Sequence, residues 1–453
     1  MSEATIEKQS GISFLRIAKA IGPAIIVASV VLGPGSILSN SKVGAAYGYD
    51  MIWVLGLASV FMALTVFLAA VLGISYAQTP FTEIANRLGR PVSIVIGVVF
   101  FLITSCFQFT NNLAIIDVIN IATESASGGW LAKYGSLIGI VLVNLGLIWA
   151  LYGSSTPYKF IEKLMMVMVG LMLLGFMVNL IIVQPSVSGI LAGMVPKLPS
   201  GGTSPENMVM LLGMFGTTFS IAGAFYQIYA VREKNWKRED LANGIVDSIV
   251  GIAVLGGISF VIMVTSAAVL HGASLSNITD VAKQLEPLIG PQAKIMFCIG
   301  LSAGAFSSLL VNALIGGTAL SDSLGLPSSV KDSPVKLLTV AGLVVGMSVA
   351  IAINWLEMSS VQLIVFAQAL TVIGVPLLAF AMLFLAIQMQ PSLLKNAGVA
   401  IASASLVLAL LLSGRMMMSL VEKLSPPPAK EANVERAPSL RPSVGLANST
   451  RSS

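Results

Sequence analysis

Ser36, Ser39 and Asn40 follow directly on Gly33-Pro34-Gly35, three and four residues apart, so on a helix that starts at the proline their oxygens share one face. Hydroxyl and amide oxygens suit a hard cation such as magnesium, which keeps part of its water shell when bound. A second hydroxyl cluster, Thr217, Thr218 and Ser220, lies among Gly213, Gly216 and Gly223, and Gln368 brings an amide from a later apolar run. Where the chain unwinds, the carbonyls of Leu32, Gly33, Ser220 and Ile221 join the set. The candidate metal ligands are therefore Gly33, Ser36, Ser220 and Gln368, with Asn40 added to the wider substrate-binding set.

The same stretch admits an opposite reading. A helix N-terminus offers free amides and the positive end of its dipole, which suit a carboxylate. Lys42, six residues beyond Ser36, would favour an anion or zwitterion if it faced the same space, and would be irrelevant to it if it snorkels to the outer surface. Asp117 and Asp247 are ionisable groups inside apolar runs, and Asp247 lies close to the basic segment 232–238, so both, with Lys42, are gate or ion-pair candidates. Gln108, Asn111, Asn112, Ser308 and Asn312 either bond between helices or line a path. His271, the one histidine, ends an apolar run and reads as a loop residue. Cys106 and Cys298 sit in apolar segments and read as packing residues. With no nucleophile–base pair, metal cluster or phosphate loop, neither enzymatic activity nor a cofactor is expected.

These groups are carried by a chain of 453 residues that is 56% hydrophobic and 10% charged, with mean hydropathy +0.91, which excludes an ordinary soluble domain. Apolar runs of spanning length occur at about 20–47, 51–76, 91–122, 131–153, 157–184, 206–232, 241–271, 291–321, 335–354, 359–388 and 394–421. An odd number of spans puts the termini on opposite sides. The excess of Lys and Arg in alternate loops places the N-terminal leader 1–19 in the cytoplasm and the C-terminus outside, so the expected location is the inner cell membrane. The apolar run that follows the polar leader is expected to insert as the first span. The tail 423–453, rich in Pro, Ser and charge, is expected to be disordered. The basic residues form no dense patch, so the net charge of +5 implies membrane lipid and a small ion or molecule as partners and no nucleic acid; protein partners are unknown.

The first and sixth runs are interrupted, at Gly33-Pro34-Gly35 and around Gly223. Proline lacks an amide proton and glycine unwinds readily, while freed backbone groups persist in a bilayer only where protein or a cavity satisfies them. Breaks at places one and six of a five-plus-five arrangement fit inverted-repeat transporters with a midplane site: repeat one about 20–184, repeat two about 206–388, and an added helix at 394–421 within a transmembrane domain of 20–422.

At these residues the chain resembles the Nramp family of divalent-metal transporters. GPGSILSNSKVGAAYGYDMIWVL is similar to the family's Asp-Pro-Gly-Asn motif and its sequel, YKFIEKLMM to the start of helix five with Glu162 at the acidic position, GIVDSIVGIA to helix seven with Asp247, GLSAGAFSSLLVNALIGG to helix eight, and AQALTVIGVPLLAFAML to helix ten with Gln368 and Pro376. The resemblance implies an all-α polytopic membrane protein with LeuT-type inverted five-helix repeats and about eleven transmembrane helices. The chemistry-bearing positions depart from the family pattern. Gly33 and Ser36 replace the motif's Asp and Asn, Ser220, Ile221 and Ala222 stand at its Met-Pro-His, Asn111 and Ala114 at its acidic proton path, and Gly374 at a second glutamine.

What the resemblance implies is a divergent branch, carrying a divalent cation by alternating access, magnesium or manganese favoured, with weak or no proton coupling. An organic-solute or amino-acid carrier on the same scaffold, and a transport-inactive sensor or scaffold, are the alternatives.

Overall fold

The computed structural model describes residues 33–123, 130–152, 170, 173–199, 204–355 and 359–424, and these are almost entirely helical. In chain order the helices are α1 (Pro34–Tyr47), α2 (Ile52–Ser75), α3 (Pro80–Leu88), α4 (Arg90–Thr123), α5 (Trp130–Tyr152), α6 (Leu173–Val183), α7 (Val187–Gly193), α8 (Pro205–Thr218), α9 (Ile221–Glu233), α10 (Leu241–Val269), α11 (Ala293–Ser323), α12 (Ser333–Asn354), α13 (Ser360–Gln388) and α14 (Leu393–Leu424). Nine spans, or ten if the pair α6–α7, bent by 115°, counts as one, are long and apolar enough to cross a bilayer among the described residues. The protein is a multi-pass membrane protein. Each expected run has a helical counterpart, usually within two or three residues; those at 20–32 and 157–169 lie outside the described residues, as do the leader, Glu162 and the tail.

Burial sorts the helices into centre and periphery. The α8–α9 span is 83% buried in its most apolar window, while those of α5 and α14 are 22% buried and turn their leucines and valines outward. Central α4 packs on α11, α12 and α13, and α1 packs on α10, α8 and α13. Close approach depends on small residues, the usual device where lipid supplies no hydrophobic drive between helices. Gly44 of α1 sits against the main chain of Met263 in α10, Gly346 of α12 against Gln108 of α4, and Gly216 of α8 against the Gln368 carbonyl of α13.

Both expected interruptions involve helix ends, with one correction of place. Gly33 is extended (φ −88°, ψ 179°) and caps α1, whose first residue is Pro34, so this helix begins where the glycine–proline pair demands; the part of the run before it, with the Leu32 carbonyl, lies outside the described residues. In span six the break falls at Phe219 and Ser220, which have non-helical backbone. Gly223, expected at the break, is instead in the first turn of α9, where its N–H donates to Ser220 Oγ at 3.3 Å. A serine cap outweighed glycine flexibility in fixing the helix start.

Candidate functional site

Three helices converge on the start of α1. A Cβ placed on Gly33 would lie 2.9 Å from Ser308 Oγ of α11 and 3.2 Å from Asn111 Oδ1 of α4, and one on Gly35 would run into the amide of Gln368 of α13. The two glycines are thus the floor on which three polar side chains rest. Gln368 Nε2 donates to Thr110 Oγ1 at 2.9 Å, which turns its Oε1 away, buried and without a partner. Asn111 Nδ2 is likewise buried and unpartnered, and Asn312 Nδ2 donates to both the carbonyl and the hydroxyl of Ser308 at 2.9 Å. Leaving a buried amide group unpaired costs about 1–3 kcal/mol, so two beside one glycine floor mark a place prepared for something polar.

The expected face of α1 is real but partly self-satisfied. Asn40 Nδ2 donates to the Ser36 carbonyl at 2.7 Å and to its hydroxyl at 3.3 Å, while Asn40 Oδ1 and Ser39 Oγ remain buried and unpartnered. The expected free carbonyls need correction. Gly33 O accepts from Ser36 N and Ile37 N at 3.0 and 3.3 Å, Ser220 O accepts from Ala224 N at 2.9 Å, and Ile221 is helical. Each helix closes its own first turn with them. The carbonyls of Gly216, Thr217 and Thr218 end α8, where helix geometry supplies no intrahelical partner, beside the unpartnered Thr218 hydroxyl. Ser220 is buried and its hydroxyl is engaged in capping α9.

The ionisable candidates stand away from this cluster. Lys42 is half-buried in a pocket of about 610 Å³ with Glu206, Phe366 and Lys423. Asp117 Oδ1 accepts from Ser360 Oγ at 2.8 Å, tying α4 to the start of α13 through a hydroxyl rather than a cation. Asp247 lies on α10 with its side chain outside those described; Arg232, the first of its expected partners, donates to the carbonyls of Tyr76 and Ala77 at 2.6 and 2.8 Å. His271 is exposed beside Gly48. Among the described residues no group of three or more His, Cys, Asp or Glu is placed to hold a metal ion.

Chemically, the cluster is a neutral set of amide and hydroxyl groups at a helix start. The family model for natural resistance-associated macrophage protein-like proteins matches residues 24–421. The chain belongs to the Nramp family. Relatives include proteins named divalent metal cation transporter MntH: one from Yersinia pestis is 27% identical over 313 residues, covering 65% of this chain and 71% of its own, and one from Deinococcus radiodurans is 24% identical over 320 residues, covering 68% and 70%. Among solved structures, a manganese transporter of Eremococcus coleocola superposes with TM-score 0.66 at 18% identity over 92% of this chain and 97% of the other. Mhp1 in an inward-facing conformation does so with TM-score 0.54 at 15% identity over 89% and 91%, a likeness of fold alone.

Sequence reasoning singled out Gln368, Gly33, Asn111 and Ser308 without their meeting point, and it missed Thr110. A threonine in an apolar helix carries no signal of its own; its role follows only from Gln368 reaching it across the helix interface.

Proposed function

We propose that this Nramp-family chain carries a divalent metal cation, magnesium or manganese favoured, through the cavity at the start of α1 by alternating access. Family membership and the names of the relatives support the class of substrate. The observation that carries the reading is the Gln368 amide, held by Thr110 over Gly35 with its carbonyl oxygen buried and unpartnered, beside Asn111 and the Ser308–Asn312 pair. This neutral oxygen set would bind a cation that keeps most of its water, because without a fixed anion full desolvation would cost far more than the amides return. The ligands expected from sequence are kept as the proposal at Gly33, Ser36 and Gln368, with Asn40 in the wider set. Ser220 acts mainly through its cap and through the adjoining carbonyls of α8.

Two inverted halves, about 20–184 and 206–388, with 394–421 added, would rock around this point in the inner membrane, the N-terminus cytoplasmic and the C-terminus outside. Proton coupling would be weak or absent, since the cluster contains amides where the family motif has carboxylates and histidine.

The organic-anion reading has less support. Pro34 has no N–H, and the amides of Ser36 and Ile37 both donate to Gly33 O. This leaves Gly35 as the first-turn donor without a partner among the described residues, too little to hold a carboxylate. Calorimetric titration of the purified chain with Mg, Mn, Ca and a panel of amino and carboxylic acids tests the choice. Heat from Mg or Mn, with an affinity that falls about tenfold in Gln368→Leu, is expected; heat from an acid, and none from divalent ions, would overturn it.

A further inference from the structure

Asp322, near the C-terminal end of α11, is buried, and its carboxylate is fully occupied without a cation on it. Oδ1 accepts from Thr79 Oγ1 at 2.6 Å and from Thr82 Oγ1 at 2.9 Å; Oδ2 accepts from Phe81 N at 3.1 Å and from Tyr229 OH of α9 at 2.7 Å. Two arginines brace the same level by holding main-chain carbonyls. Arg90 donates to those of Asp322 and Ser323, and Arg232 to those of Tyr76 and Ala77. One carboxylate therefore joins three separate pieces of chain: the linker into α3, the end of α9 and the end of α11.

Above it lies an aromatic layer. Phe81 of α3, Phe100 of α4 and Phe225 of α9 are all fully buried, with ring centroids 5.2 to 6.3 Å apart. Position along the helices orders these layers. On α9 the chain runs Ser220, Phe225, Tyr229; on α4 it runs Arg90, Phe100, Asn111; on α11 Ser308 and Asp322 are about 21 Å apart along the axis. The three rings thus stand between the polar cluster and the Asp322 end. Phe81, whose main-chain N–H donates to Asp322, thus carries one of the three rings, and its carbonyl accepts in turn from Ser93 Oγ at 2.9 Å.

We infer that Asp322 is a positioning residue of the transport cycle: it seats the Phe81 ring in an apolar plug that seals the cavity from one face of the membrane, and opening toward that face requires its four hydrogen bonds to part. A fully satisfied buried carboxylate favours the closed arrangement, and because each partner is a neutral hydroxyl or amide, the latch can open without separating a buried ion pair. The inference rests on the alternating-access reading, and by the proposed orientation the sealed face is cytoplasmic.

The test uses a reporter thiol and no substrate. In the full chain with Cys106→Ala and Cys298→Ala, the reporter Ala222→Cys, buried in the first turn of α9 on the cavity side of the plug, is labelled in proteoliposomes by a membrane-impermeant maleimide added at one face or the other. Asp322→Asn and Phe81→Ala are each expected to raise the labelling rate at least tenfold from the Asp322 face and to leave the opposite face unchanged. A general loosening of the fold would raise both faces together. A smaller rise, or an equal rise from both, would overturn the inference. Where Asp322→Asn does not fold, Thr79→Val combined with Tyr229→Phe is judged by the same criterion. A chain that labels as expected yet carries no cation would lose the proposed function and keep the latch.

Discussion

At the scale of single residues, the account turns on what neutral oxygen can do for a dication. Gln368 is poised rather than spare, since Thr110 fixes its amide nitrogen and leaves its oxygen buried and without a partner. Gln368→Leu keeps the volume and removes that oxygen, and the expected result is a loss of divalent affinity of about tenfold, or ~1.4 kcal/mol, measured by calorimetry. Gly35→Ala tests the same contact from the other side. A methyl there would collide with the Gln368 amide, so transport should fall while the protein still folds; wild-type uptake in that variant would show that the amide does not need its seat on Gly35. Gly33→Asp would return the carboxylate that the family motif has at this position. Ser308 Oγ at 2.9 Å and Asn111 Oδ1 at 3.2 Å from its Cβ must give way, and the anion then seated among these side chains should tighten manganese binding by at least tenfold, read by the same titration. The identity of these residues was legible in the sequence because polar groups in apolar runs stand out. Their partnership was not, because which faces meet depends on helix rotation, and Thr110 or Ser308 gives no sign of it alone.

At the scale of elements, the spans were legible because hydropathy over a span length is a strong signal, and α2, α4, α11 and α13 end within two or three residues of expectation. Other features escaped for physical reasons. Helix α3 has nine residues with Phe81 and Ile84 on a buried face and charge on the other, too short and mixed for a hydropathy scan. The 115° bend between α6 and α7 falls at Gln184, with φ +46°, and Pro185, a helix breaker that a hydropathy scan passes over. The break in span six sits three residues before Gly223 because a serine cap satisfies the amide that glycine would only have left free. Ser220→Ala should therefore lower thermal stability by about 1 kcal/mol and let α8 and α9 fray toward each other. A melting temperature unchanged in detergent would show the cap to be dispensable.

On the scale of the whole molecule, the helices are tied at both ends of the polar cluster. One end has Asp322 and the three phenylalanines. At the other, Gln284 Nε2 donates to Ser41 Oγ at 3.0 Å, Asn179 Nδ2 donates to the Gln284 carbonyl at 2.7 Å, and Ser359 Oγ donates to the Ser276 carbonyl at 2.6 Å, so the segment before α11 covers the far end of α1. A central polar cluster between two separable sets of hydrogen bonds, neither of them an ion pair, is what the proposed alternating access needs, because either set can part without separating opposite charges. The most direct test of the central claim, a neutral oxygen site that moves a dication with little proton movement, is simultaneous recording of Mn or Mg uptake and internal pH in proteoliposomes of the intact chain. The account predicts cation entry that depends on Gln368, with well under one proton moved per metal; no cation entry, or one proton for each metal, would contradict it.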